Sequence, residues 1–326
     1  MSKVIFQKSV WLFVTLVALS IIAFSTVLAA NEVRIFEQRT RMTDPPPDLI
    51  PSFFKRYGWD KPVYVQYFLW VKHWVQGDWG ESWIWRQPVR DIALLSLGRT
   101  LAVYTPPVLL FCGLAFVLWV RAGWQSRINR NLLLGVTCLR AVPIYFWALA
   151  LAVIVMRLFY FDPYRLFYFL RLETTWNLPR ILDLLPHLGA PTLLLGLVIL
   201  TEFFVARWRR FEIAHDDLEA FKAKQFPGKA ARKVWRHLVL TQFAHALRDF
   251  LPRFVSELVL FSVLFSRQML GGYLAYSLWE GDPRLSCAVF FVITGGVAVG
   301  CFLLDVWAAW LERNNFRHLN GAAATV

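Results

Sequence analysis

Residues 10–30, VWLFVTLVALSIIAFSTVLAA, run for 21 positions without a charged side chain. About 20 apolar residues in a row are what an α-helix needs to cross a hydrocarbon core of about 30 Å. Such a run constrains a fold severely, because backbone N–H and C=O groups in lipid must be satisfied within the segment itself. The run is longer than the about 7–15 residues of a signal-peptide core, so its Ala29-Ala30 end does not read as a cleavage site and the segment is expected to be retained. Further apolar runs at 101–120, 132–156, 187–206, 254–276 and 286–310 predict an all-α polytopic membrane protein of six spans.

Composition agrees. Only 17% of the 326 residues are charged, against about 25% in ordinary soluble domains. The 16 Trp and 28 Phe suit membrane interfaces and helix packing. A net charge of +13 would suggest nucleic acid in a soluble chain, but here the positive-inside rule explains it without a nucleic-acid partner. The basic run Lys229 to Arg236 reads in the same way, as a stretch facing anionic lipid or an acidic partner. The four cysteines, Cys112, Cys138, Cys287 and Cys301, lie in apolar runs with no CxxC spacing, and neither disulfide nor metal site is expected.

Basic residues fix the expected orientation. Eighteen Lys and Arg fall on the side holding the N-terminus, the 121–130 loop, the 207–253 loop and the tail, against fourteen on the other side, nine of them in the long 31–97 segment. Both termini are therefore expected in the cytoplasm. The domain reading is a cytoplasmic N-terminus and first span (1–30), an extracytoplasmic segment (31–97), a five-helix core (98–312) containing a cytoplasmic loop at 207–253, and a cytoplasmic tail (313–326).

Several spans carry residues that lipid tolerates poorly. Pro106-Pro107 and Pro143 remove backbone donors and predict kinks. Arg140, Glu202, Glu257, Arg267 and Asp305 lie within or at the ends of spans, where an ionisable group must be paired, wetted or functional. Near helix ends (Glu202, Glu257, Asp305) a snorkelling or structural ion-pair role is the competing explanation. No HExxH, GxSxG or GxxxxGK[ST] pattern occurs, so neither a membrane enzyme nor an ATPase is expected, and no cofactor on this chain.

The segment between the first two runs has its own pattern. Asp60-Lys61-Pro62 forms a turn before VYVQYFLWVKHWVQ, whose apolar residues recur at helical spacing, and Gly77-Asp78-Trp79-Gly80 closes it. The spacing predicts an amphipathic helix on the outer surface, part of a small cap.

These residues carry a resemblance. Tyr57-Gly58-Trp59-Asp60-Lys61-Pro62 leading to Gln66-Tyr67, then Gly77-Asp78-Trp79-Gly80-Glu81-Ser82, then Pro88-Val89, are similar in order and spacing to the large extracytoplasmic loop of permease subunits in the dipeptide/oligopeptide/nickel class of ABC importers. AVPIYFWALAL from Ala141, HLGAPTLLLG from His187, GDPRL from Gly281 and LLDVWAAWLERN from Leu303 extend it along roughly residues 9–314. The resemblance implies an ABC importer permease fold with an extracytoplasmic helical cap, in which Asp60, Lys61, Pro62, Gln66, Tyr67, Gly77, Asp78 and Gly80 shape the cap. It also implies a location in the bacterial inner membrane and four kinds of partner: a second homologous permease, two ATPase subunits that hydrolyse the ATP, an extracytoplasmic solute-binding protein, and the lipid bilayer. Residues 31–97 and the loops near 160–185 and 276–285 would meet the binding protein.

The family's cytoplasmic coupling helix corresponds to DDLEAFKAKQ at 216–225. The residues carried over are Asp217, Glu219, Ala220, Phe221, Ala223, Lys224, Gln225 and the following Gly228. Phe221 stands where the family has Ala, and Gln225 where it has Gly. After the fifth span SRQMLGGY replaces a stretch the family begins with Glu and Thr and continues to Pro-Gly. The departures motivate an alternative reading, a permease-derived, non-transporting scaffold subunit of another membrane complex.

Overall fold

A computed structural model describes residues 2–29, 55, 60–121, 130–142, 146–147, 149–150, 153–154, 157, 189, 192–207, 228–265 and 268–323. The named helices are α1 (Ser2–Ala29), α2 (Val63–Val75), α3 (Val89–Arg121), α4 (Arg130–Ala141), α5 (Gly228–Phe265), α6 (Leu270–Glu280) and α7 (Pro283–Ala323), with a further helical stretch at 192–207. Extended pairing among the described residues is confined to one bridge, Glu81 with Pro88. The chain is therefore all-helical where described, as the apolar runs require.

Among the described residues, three helices are long and apolar enough to cross a membrane: Ile5–Val27 in α1, Val89–Arg121 in α3 and Pro283–Arg313 in α7. They coincide with the first, second and sixth expected spans, although α3 starts well before 101 and α7 continues through the expected tail to Ala323. Pro106 and Pro107 lie inside α3, which remains one helix.

The expected span at 254–276 is not one rod. Its first half is the end of α5, a 38-residue helix that begins at Gly228 in the expected cytoplasmic loop and extends about 57 Å at the α-helical rise. Its second half belongs to α6, only 11 residues long. The reason for the break is polar. Met269 turns extended, at φ −92° and ψ 165°, and the Gln268 side chain accepts a hydrogen bond from Arg99 at 3.0 Å. The N–H of Leu270, an orphan donor at a helix start, donates to the Thr100 hydroxyl at 3.0 Å.

The chain divides into two compact units. One comprises residues 11–100 and 267–298. Its core is formed by Val89, Ile92, Ala93, Leu270, Leu285, Ala288 and Val289, with Trp74, Trp79 and Tyr273 packed against it. The other comprises 1–10, 101–266 and 299–326. In it the stretch 192–207 packs on α3 and α5 through rings: Phe203 stacks on Phe243 at 4.8 Å, and Trp119 meets Phe203 and Phe243 edge-on at 6.2 and 5.4 Å. Phe250 and Phe254 continue the row. The Trp119 indole N–H donates to the Phe203 carbonyl at 3.0 Å, which satisfies the polar edge of a buried ring. Gly196 lies against the tip of the Phe111 ring, where a Cβ would overlap it.

Candidate functional site

The cap belongs to the first unit. Pro62 precedes α2 with its fixed φ, and its carbonyl accepts from Val65 N and Gln66 N. The Gln66 amide donates to the Lys61 carbonyl at 2.7 Å, a local bond that closes the Asp60-Lys61-Pro62 turn. Tyr67 reaches α1: its hydroxyl is 2.8 Å from the Ser20 hydroxyl, and its ring meets Phe24 edge-on at 5.5 Å. The α2 helix ends in a tight reversal. Gly77 and Gly80 have φ of +84° and +80°, the left-handed region where a Cβ is penalised. An added Cβ would also approach the Arg90 side chain at Gly77 and the Arg284 side chain at Gly80. Asp78 accepts from the Gly80 N–H at 3.1 Å, as an aspartate in a turn often does. Trp79 folds back to stack on Trp74, 4.3 Å between centroids and 9° from parallel.

Beyond Gly80, Ser82 N donates to Gln87 O and Val89 N to Gly80 O, both at 2.9 Å. The short Trp83-Ile84-Trp85 tip is thereby closed just before α3 begins. What anchors this reversal is Asp282, fully buried. Its carboxylate accepts from the Ser82 hydroxyl at 2.6 Å, from Ile84 N at 3.4 Å and from Leu285 N at 3.1 Å. It is thus both the N-cap of α7, with Pro283 at the first helical position, and the fastening of a segment 200 positions earlier in the chain. Gly281 supplies the left-handed turn that ends α6, at φ 71°. The Ser286 hydroxyl bridges to Ser277 at 2.8 Å and so closes the α6–α7 corner. Along the chain Asp282 stood only within GDPRL, with no role of its own. Its signal was present in Gly281-Asp282-Pro283, a helix stop followed by a cap and a proline.

The ionisable candidates lie in the second unit, apart from Arg267, which falls outside the described residues. Arg140 on α4 and Glu202 in the 192–207 stretch form an ion pair, and Glu257 on α5 lies within electrostatic reach of both, together with Arg253. Asp305 on α7 accepts from Lys8 at 3.0 Å and faces the Arg248 guanidinium at 3.3 Å. It therefore joins the start of α1 to the middle of α5. Burial of Arg248 lowers its pKa, but the hydrogen bond to Asp249 and the charge of Asp305 outweigh this and leave it above the ordinary arginine value. His245 and Glu312 lie 2.8 Å apart nearby.

Of the coupling residues, Asp217, Glu219, Ala220, Phe221, Ala223, Lys224 and Gln225 lie outside the described residues, and Gly228 opens α5. Pro143 and the 160–185 loop lie outside them as well. Among the described residues no group of His, Cys, Asp and Glu is arranged to hold a metal ion.

Over 325 residues the chain is 23% identical to the oligopeptide transport system permease protein AppB of Bacillus subtilis (strain 168), covering 96% of this chain and 98% of that protein. A shorter match, 32% identical over 114 residues and 33% of this chain, joins it to 35% of the glutathione transport system permease protein GsiC of Salmonella paratyphi A (strain ATCC 9150 / SARB42). No family model matches the chain. The first similarity runs nearly end to end, on a chain whose apolar helices are long enough for a bilayer, so the chain is similar over most of its length to a permease protein of an oligopeptide transport system.

Proposed function

We propose that the chain forms half of the translocation pathway of an ABC-type importer for peptides or related small solutes. Similarity to an oligopeptide permease over 96% of the chain carries this reading. A second, homologous permease supplies the other half of the pathway. Two ATPase subunits bind the 207–253 segment, whose second part is the start of α5, and their closure is transmitted along that helix as a hinge-type motion. No Walker pattern is present in the chain, so ATP is hydrolysed on the partners. A solute-binding protein docks from outside on the 77–88 reversal and the 276–285 turn, where Trp85, Leu278 and Trp279 stand exposed. Both termini face the cytoplasm, and the apolar runs provide the membrane crossings, the fifth of them through the end of α5 and α6.

Purification of the tagged chain in mild detergent, followed by identification of what co-purifies, tests the proposal. A second permease with nucleotide-binding chains is the expected result. An unrelated complex without ATPase activity would favour the scaffold alternative that the altered 216–225 segment motivates. Charge reversal through Lys229 to Arg236 is expected to detach the cytoplasmic partners, and unchanged complex yield would remove that run from the interface.

A further inference from the structure

We propose that α2 is seated within the membrane interface, with the stripe Tyr64, Phe68 and Val75 immersed in lipid and not offered to another protein. These three side chains are 67%, 67% and 83% exposed. Their spacing of four and seven places them on one strip of the helix, within about 40° of one another at 100° per residue. They are not the side by which α2 is held. That side is Tyr67, Trp70 and Trp74, which meet Phe24 of α1 and Phe291 of α7. The helix therefore has two neighbouring apolar strips, one packed on protein and one bare.

Depth identifies the occupant of the bare strip. Ser20 and Phe24, the α1 partners of Tyr67, lie inside the apolar span Ile5–Val27. They stand about 10 Å and about 5 Å from its C-terminal end at 1.5 Å per residue. An interfacial amphipathic helix buries its apolar face about 5–10 Å into the headgroup and acyl boundary, which is the depth at which α1 holds Tyr67. The bare strip lies on the same short helix, whose far end is held at similar depth: Trp74 meets Phe291, about 12 Å inside the apolar span Pro283–Arg313. Lys72 is exposed on the edge of this strip, about 40° from Phe68, where its long stem can snorkel toward the headgroups, and the exposed Asp60-Lys61 turn suits the water side, its lysine facing anionic headgroups. The inference rests on α1 being a membrane span and not on transport, so it stands or falls separately from the composition of the complex.

The experiment replaces Cys112, Cys138, Cys287 and Cys301, introduces single cysteines at Phe68, Val75 and Lys61, and attaches a spin label to each. The protein is then reconstituted in phosphatidylethanolamine/phosphatidylglycerol vesicles. Labels at 68 and 75 are expected to collide several-fold more often with oxygen than with a water-soluble nickel chelate, and the label at 61 to show the reverse. Nickel access at 68 and 75 equal to that at 61 overturns the proposal in favour of an aqueous surface; shielding from both reagents overturns it in favour of a protein contact. Should these variants misfold, the unaltered chain can be photolabelled with a phospholipid carrying its reactive group near the glycerol. Adducts on Tyr64 or Phe68 are expected alongside those on the exposed Ile21 and Ile22 of α1, and labelling of α1 alone overturns the proposal.

Discussion

Residues 11–100 with 267–298 are organised by polar groups at helix ends, whereas 1–10, 101–266 and 299–326 are organised by rings and by ion pairs between helices. In the first unit Asp282 caps α7 and ties down Ser82, and Thr100 caps α6. In the second, Phe203, Phe243, Phe250 and Trp119 interlock, while Arg140–Glu202 and Lys8–Asp305–Arg248 join separate helices. The difference follows from what each must build. Reversals such as Gly77–Pro88 and the α6–α7 corner leave backbone donors that need acceptors. Long helices satisfy their own backbones and need only side-chain contact to choose neighbours.

Removing Asp282 is the sharpest way to break this comparison. The Asp282→Ala change leaves the buried Ser82 hydroxyl and Leu285 N–H without acceptors and deletes an N-cap, a loss of about 3 kcal/mol. Thermal unfolding followed by size exclusion in detergent should show it clearly, with Asp282→Asn intermediate. A change as mild as a surface substitution would mean that polar caps do not organise this unit. In the other unit, Arg140→Ala should cost about 2 kcal/mol by leaving Glu202 partly buried and unpaired. Adding Glu202→Ala should recover part of the loss, and additive losses in the double-mutant cycle would show that the pair is not coupled.

Gly77→Val and Gly80→Val each force a β-branched residue to positive φ, at a cost of about 1–2 kcal/mol. Their effect should concentrate on protease resistance around the cap. Gly196→Ala probes the ring-packed unit on the same scale, about 1–3 kcal/mol from overpacking against Phe111, and should leave the cap's protease pattern intact. The smallest effect is expected for Lys8→Ala, below about 1 kcal/mol, because the Lys8 side chain is 41% exposed and its pair is screened by solvent and salt. A stability loss that persists at high salt would show that Asp305 depends on Lys8 more than its exposure implies.

Much of this was legible along the chain. The turn before α2, the Gly77 and Gly80 positions and the helical spacing of 63–75 are local signals, and the structure has a helix and two left-handed glycines there. The ionisable residues at 140, 202, 257 and 305 stood out because lipid makes such groups costly. Their pairing did not, since Lys8 and Asp305 are 297 positions apart. The break in the 254–276 run was also hidden. Window hydropathy averages over Ser266, Arg267 and Gln268, while the helix stops for the sake of one threonine hydroxyl and one arginine contributed by α3.

Sequence alone determined that this chain is helical and built for a membrane, because a backbone in lipid has almost no other way to satisfy its hydrogen bonds and apolar runs can be read locally. Only the tertiary structure decided where the helices stop and which charges and hydroxyls meet. Those outcomes depend on donors and acceptors brought together from distant parts of the chain, as Ser82 and Asp282 are, and no local pattern encodes that meeting.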